Sequence, residues 1–394
     1  MRWRTASAAL GLNRQTAILL IAILIIGSGE EMWMRFLPKY LEALGASAFL
    51  IAAFDAIKTL LGAVYAYPGG LVTDRFGHRT AFVGFTLVSI AGYLLLIALK
   101  FPAGVIIAMF LFLAWSDFSL PATFSLVAAS LPATKQAMGI GMQSLIRRIP
   151  VIAGPIAGGV LIDRLGIARG VRTGAWVSIV LTIAAGLLLN KLVRSAPSAP
   201  KLHGFRRVVS DFPPPLRRLL FSDILIRFCE RLPFAWVVIY AMERGMSGTD
   251  VGVLTAIEMA AAILCYVPAS MLADRYGKEP FVIATFVMYT LFPLVLAGAH
   301  SFPIFALAFA VRGLKEFGEP ARKSLIVSYS PAGARAATVG AYYLIRDSVV
   351  TSGSFIGAGL WLLGPTTNFL SAVGVGVVAT AVYVASLRGL KMRR

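Results

Sequence analysis

The chain has 394 residues, of which 58% are hydrophobic, and its mean hydropathy is +0.80. A soluble globular domain of this length is excluded, because the apolar runs are both too abundant and long enough to cross a bilayer. The formal net charge of +19 would suggest nucleic acid as a partner for a soluble protein, but here the basic residues sort by loop, as membrane topology requires.

Twelve membrane spans are predicted, at roughly 18 to 42, 47 to 73, 80 to 99, 103 to 131, 136 to 162, 173 to 192, 218 to 243, 249 to 273, 280 to 299, 303 to 330, 336 to 363 and 368 to 387. Residues 1 to 28 imitate a signal peptide, with Arg2 and Arg4 ahead of an apolar run. The pattern continues through Glu30, Glu31 and Arg35 to Tyr40, with counterparts in the second half, so retention as a first span is expected. Of the 37 Lys and Arg, 19 then fall on the side of the N-terminus, six on the other side and 12 within spans. This places both termini in the cytoplasm of a cytoplasmic (inner) membrane, with the loop at 164 to 172 (Arg164, Arg169, Arg172) as a local exception. Cys229 and Cys265 both fall within spans, which argues for buried thiols and against a disulfide framework.

The second span ends in Pro68 to Arg79, an apolar segment closing in a short charged turn bounded by glycine. Residues 268 to 278 repeat it at Pro268, Asp274, Arg275, Tyr276 and Gly277, and a looser copy runs from Gly158 to Gly166. Glycine permits the tight exit from a helix, and Asp-Arg puts charge where helix end groups need partners. Further matches at offsets of 199 or 200, such as Leu145-Ile146-Arg147 with Leu344-Ile345-Arg346, align the chain with itself almost end to end. The domain reading is a six-helix half at 1 to 193, a basic, proline-containing cytoplasmic linker at 194 to 217, and a second parallel half at 218 to 394.

Charge distribution within the spans is the most informative pattern. The interiors of spans 3, 6, 9 and 12 carry none, so every third helix is expected to face lipid. The other eight carry at least one charge each, and a charge on a lipid face costs about 3 kcal/mol or more, so these residues should line a polar cavity. Helical spacing agrees, with Arg312, Lys315, Glu316 and Glu319 on one stripe of span 10 and Asp223, Arg227, Glu230 and Arg231 on one stripe of span 7.

The whole chain resembles the major facilitator superfamily, whose fold is an all-α bundle of twelve transmembrane helices in two parallel six-helix halves. Gly70, Asp74, Arg75, Gly77 and Arg79 match the family's motif A, with Asp274 and Arg275 in the second copy. The resemblance implies that Asp74 and Arg75 latch the two halves on the cytoplasmic side; the competing reading is a positive-inside turn with no switching role. Gly154, Pro155, Gly158 and Gly159 are similar to motif C of proton-coupled drug and metabolite exporters. The match departs from that motif at Pro150, the motif B arginine is absent from span 4, and small residues also serve close helix packing.

The expected function is secondary active transport of a small organic solute by alternating access, coupled to protons, with export favoured. An organic-anion importer is the alternative, and a non-transporting receptor or scaffold is disfavoured because no loop is long enough for a soluble domain. No Walker-type loop, His-Glu-x-x-His or Cys/His cluster is present, so no enzymatic activity, cofactor or metal is expected. His78, His203 and His300 lie outside the spans, which leaves carboxylates to carry a proton: Glu30 and the repeat-related Glu230 first, then Glu31, Glu258 and Glu316. Each could instead be a permanent ion-pair partner. Substrate contacts are expected from Arg35, Asp117, Arg147, Arg231, Arg312, Lys315 and Arg346, with Arg147 and Arg346 suited to an anionic group and Asp347 able to neutralise an arginine. The expected partners are the solute, protons and the bilayer, with no nucleic acid, and the chain is expected to be a monomer.

Overall fold

Proline and glycine set the helix ends in the computed structural model, which describes residues 14–119, 122–123, 126, 133–191, 209–331 and 335–391. Pro102 and Pro303 occupy the first helical turn after an extended Phe101 and Ser301, where a missing N–H costs nothing. Gly77, Gly166 and Gly277, one in each copy of the charged turn, take φ of 77°, 75° and 93°, a backbone that side-chain-bearing residues rarely adopt.

The fold is all-helical, with no strand among the described residues. The first half contains α1 (Arg14–Met34), α2 (Leu37–Ala43), α3 (Ala48–Phe76), α4 (His78–Ala98), α5 (Pro102–Phe112), α6 (Ala133–Leu165) and α7 (Ile167–Leu189). The second contains α8 (Pro214–Phe234), α9 (Trp236–Glu243), α10 (Gly248–Tyr276), α11 (Glu279–Ala297), α12 (Phe302–Leu314), α13 (Glu319–Tyr329), α14 (Arg335–Val350), α15 (Ser352–Leu362) and α16 (Pro365–Lys391). Six stretches among the described residues are long and apolar enough to cross a membrane on those criteria alone. The other predicted spans carry several charges or are divided. Spans 4 and 10 are interrupted at repeat-related points, a π-helical turn at Ala114–Phe118 and a 3-10 turn at Lys315–Gly318, which hold Asp117 and Glu316 respectively. Pro320 has no N–H to give the Glu316 carbonyl, so an unbroken α-helix is unavailable there.

Contacts divide the chain into two units. One comprises Met1–Ala46, Val64–Lys201 and Ser247–Gly252; the other comprises Ser47–Ala63, Leu202–Met246 and Val253–Arg394. Ser47–Ala63, from the first half of the sequence, therefore packs inside the second unit, and the short Ser247–Gly252 piece inside the first. Most of the 194 to 217 linker lies outside the described residues.

The core of the first unit gathers Leu19, Ile23 and Ile26 of α1 with Phe82 and Phe85 of α4 and Trp115. The core of the second gathers Ile226 of α8, Phe286 and Tyr289 of α11, Tyr342 of α14 and Tyr383 of α16. Cys229 and Cys265 are free thiols.

α4 exposes Leu87 and Leu94, but its opposite face is buried and brings Tyr93, fully enclosed, against α1. A helix without formal charge can still present hydroxyls to the interior.

Candidate functional site

In the first unit, α1 delivers Glu30 to a buried position with 6% of its surface exposed. The Tyr93 hydroxyl donates to its Oε1 at 2.6 Å, and the Ser116 hydroxyl donates to Oε2 at 2.5 Å. Ser116 sits in the π-helical turn, which interrupts regular helix next to this carboxyl. Trp33, one turn beyond Glu30, is wedged edge-on against Tyr93 and Phe112, and its indole N–H donates to Ser178 at 2.8 Å. A Cβ on Gly92 would collide with the Phe112 backbone, so glycine there allows α4 and α5 to close around this wall. Among the described residues, no cation forms an ion pair with Glu30.

Arg147 of α6 lies close enough to Glu30 and Asp117 to feel both charges. Its Nε and one terminal nitrogen are enclosed without a hydrogen-bond acceptor among the described residues. Glu31 and Arg35, four residues apart on α1, form no ion pair with each other, and both are half-buried. Asp117 is half-buried in the π-helical turn.

In the second unit the charges pair with one another. Glu230 of α8 receives the Lys315 ammonium at 2.5 Å and Arg227 at 2.8 Å. Arg227 also reaches Glu319 at 2.8 Å. Arg322 bridges Glu319 at 2.7 Å and Asp223 at 2.5 Å, and the Tyr342 hydroxyl donates to the same Asp223 at 3.0 Å. Arg346 sits against Asp347 at 2.7 Å and Asp223 at 3.5 Å, with its guanidinium over the Tyr343 ring. Glu258, which has no opposite charge nearby on its own helix, finds Arg312 at 3.4 Å and Lys315 at 3.9 Å. Arg312 is in turn enclosed by the faces of Phe234 and Phe292. Arg231 pairs with Asp55 at 2.9 Å, and the Ser354 hydroxyl completes that carboxylate at 2.7 Å. Five cations (Arg227, Arg312, Lys315, Arg322, Arg346) thus meet five anions (Asp223, Glu230, Glu258, Glu319, Asp347) in one compensated network. Glu316, on the span 10 stripe, is engaged in a contact of its own in the 3-10 turn.

The motif A side chains Asp74 and Asp274 lie outside the described residues. Of the rest, Arg79 donates twice to Asn190 at 3.0 and 2.6 Å, while Arg75 and Arg275 lie over the rings of Phe76 and Tyr276. Gly70 and Gly77 flank the turn, and only Gly77 needs a positive φ.

The motif C glycines permit close approach. A side chain at Gly154 would strike Glu31 and Met32, at Gly158 the Met32 backbone, and at Gly159 the backbone of Gly248; Gly252 lies equally close to Pro155. Just past the end of span 5, Asp163 caps α10, accepting from the N–H groups of Gly248 and Thr249 at 2.6 and 2.8 Å and from the Thr249 hydroxyl at 2.5 Å. Partial burial pushes this carboxyl up, but the hydrogen bonds from Thr249 and Gly248 outweigh it and hold it below the usual carboxylate range.

Tyr93 and Ser116 in the first unit, and Arg322 and Tyr342 in the second, hold these carboxylates and were not among the expected residues. Arg322 falls within predicted span 10 and carries a charge that marks it; the hydroxyls carry no charge signal.

An all-helical chain with six described stretches long and apolar enough to cross a membrane is of the polytopic membrane-protein class. The family model for the Major Facilitator Superfamily matches residues 19–243 and 219–391, and the chain belongs to that family of membrane transporters. It is 22% identical over 403 residues to the multidrug resistance protein MdtG of Enterobacter lignolyticus (strain SCF1), covering 99% of this chain and 95% of that protein. A 143-residue stretch, 36% of each chain, is 24% identical to the quinolone resistance protein NorA of Staphylococcus aureus. Among solved structures, the nucleoside transporter NupG superposes with a TM-score of 0.80 at 13% identity, over 95% of this chain and all of that one. A POT family transporter in complex with a thioalcohol-conjugated peptide superposes at 0.78 with 16% identity, over 95% of both chains. Those two likenesses are of fold.

Proposed function

We propose that the chain is a proton-coupled secondary transporter that works by alternating access and exports a small organic solute, with Glu30 as the proton carrier. The observation that carries this reading is the company Glu30 keeps: a buried carboxyl held by two neutral hydroxyls and no ion-paired cation. Ionised, it is satisfied by the two O–H donors. Protonated, it becomes a donor itself, and Tyr93 and Ser116 can each turn to accept. Loading and unloading a proton therefore breaks no ion pair. Protonating Glu230 would instead take its nearest carboxylate from Lys315 and one of two from Arg227, and weakening a buried ion pair is costly. Glu230, Glu258 and Glu319 are on this reading the fixed charge framework of the second unit, and Glu31 and Glu316 remain secondary carriers.

Export is favoured because the relatives bear the names of resistance proteins, and a carrier confers resistance by moving compounds outward. The distribution of basic residues supports cytoplasmic termini, and the bacterial relatives support an inner-membrane location.

A specific observation favours an anionic group on the solute. Arg147 keeps two enclosed nitrogens without acceptors, whereas the repeat-related Arg346 is occupied by Asp347 and Asp223. An unsatisfied guanidinium suits a carboxylate or phosphate, which it binds through two parallel hydrogen bonds. Transport by purified protein in proteoliposomes, across a panel of drugs and anionic metabolites with and without a pH gradient, tests coupling, direction and substrate charge together. Accumulation that ignores the pH gradient for every solute transported would overturn proton coupling.

A further inference from the structure

Four of the six basic residues on the side of the membrane opposite the termini fall in two neighbouring loops: Lys100 in one, and Arg164, Arg169 and Arg172 in and after the other. Positive residues are disfavoured on that side, and transport gives them no task. In the first unit, Lys100, Arg169 and Arg172 line one cavity of about 570 Å³ between the end of α4 and the start of α7, together with Leu165, Thr173 and Trp176.

None of the three cations has a carboxylate partner among the described residues, and the Arg172 Nε is enclosed without an acceptor. Asp163, the nearest acid in sequence, is committed to Gly248 and Thr249. The first turn of α7 adds no acid and has no side-chain cap, so its free N–H groups contribute further positive potential. Such a site lacks a counter-anion.

The lining identifies the kind of anion. Trp176 is half exposed, and with Val180, Ile183 and Leu187 it forms a continuous apolar stripe down α7 at spacings of four, three and four residues, all exposed. The stripe begins at the cationic cavity and runs away from it along the helix. Negative charge at one end and an apolar track leading from it match a phosphodiester headgroup and its acyl chain, with the Trp176 indole at the boundary where aromatic belts sit.

We propose that this cavity binds the phosphate of an anionic phospholipid, ligated by Lys100, Arg169 and Arg172, with an acyl chain along the Trp176 to Leu187 stripe. The proposal rests on the chain being a membrane protein and not on coupling or direction.

The test uses the purified full chain in neutral detergent, titrated with phosphatidylglycerol, phosphatidylcholine or inorganic phosphate, with bound lipid counted by native mass spectrometry. One phosphatidylglycerol should bind more tightly than phosphatidylcholine. Arg169→Gln and Arg172→Gln should each weaken it about fivefold, the loss of one basic residue from an anionic-lipid contact. Inorganic phosphate should not displace it at matched concentration. Unchanged affinity in both variants, or equal binding of phosphatidylcholine, overturns the site. Displacement by inorganic phosphate overturns the lipid as its occupant and leaves a free-anion site. Lys100→Gln, in the loop after α4, supplies the same comparison should an α7 variant not fold.

Discussion

Glu30 and Glu230 stand 200 residues apart at matching positions of the two halves and end in opposite company. One is held by the hydroxyls of Tyr93 and Ser116, and the other is locked to Lys315 and Arg227. Duplication supplied the same carboxyl twice, and the neighbours differentiated it. On the proposed reading a proton can come and go at the first without breaking an ion pair, while the second serves as part of a fixed framework.

Removing the charge at Glu230 should therefore cost stability. Glu230→Gln leaves Lys315 and Arg227 short of a partner and should destabilise the protein by roughly 3–5 kcal/mol, the usual penalty for breaking one side of a buried pair. Glu230→Gln combined with Lys315→Gln should recover much of that loss. Thermal unfolding in detergent reads both, and a single variant as stable as the parent would show that the network is not structural.

The repeat-related arginines should separate in the same way. Arg346→Gln breaks contacts to Asp347 and Asp223 and should lower the unfolding midpoint with little change in solute affinity. Arg147→Gln should leave the midpoint near that of the parent and weaken an anionic solute by about 1.5–3 kcal/mol, the range for a hydrogen bond to a charged group. Calorimetric titration with an identified substrate decides it, and equal losses of affinity in both variants would contradict the assignment.

Asp163 gives a pH prediction with a definite sign. Its folded-state carboxyl is held below the usual range by the α10 cap, so the cap stabilises at pH above the unfolded value of about 3.9 and fades only as pH falls through the lower folded value. Across neutral pH, Asp163→Asn should lower the unfolding midpoint by a constant amount. The gap to the parent should narrow only in acid. A gap that changes between about pH 6 and 8 would mean that another group is responsible.

Much of this was legible in the sequence, and the parts that were not share a cause. The three charged turns announced themselves by Asp, Arg and Gly, and each glycine adopts the left-handed backbone that the pattern required. Spacing placed Lys315 and Glu319 on one stripe and Arg227 and Glu230 on another, but only tertiary packing decides that Arg227 reaches Glu319 and Lys315 reaches Glu230. Glu258 looked unaccompanied because its partners, Arg312 and Lys315, are on another helix. Tyr93 escaped notice because a search for charge passes over hydroxyls, and its span reads as uniformly apolar. The interruption at Ala114–Phe118 that presents Ser116 had only a proline three residues beyond it as a hint.

The most direct test of the account is accumulation of a transported solute in proteoliposomes under an imposed pH gradient, compared between the parent and Glu30→Gln. Glu30→Gln should fold normally and still exchange solute across the membrane at zero gradient, yet accumulate none when the gradient is applied. Accumulation by Glu30→Gln that still follows the pH gradient at the parent level would contradict the assignment of the proton to Glu30.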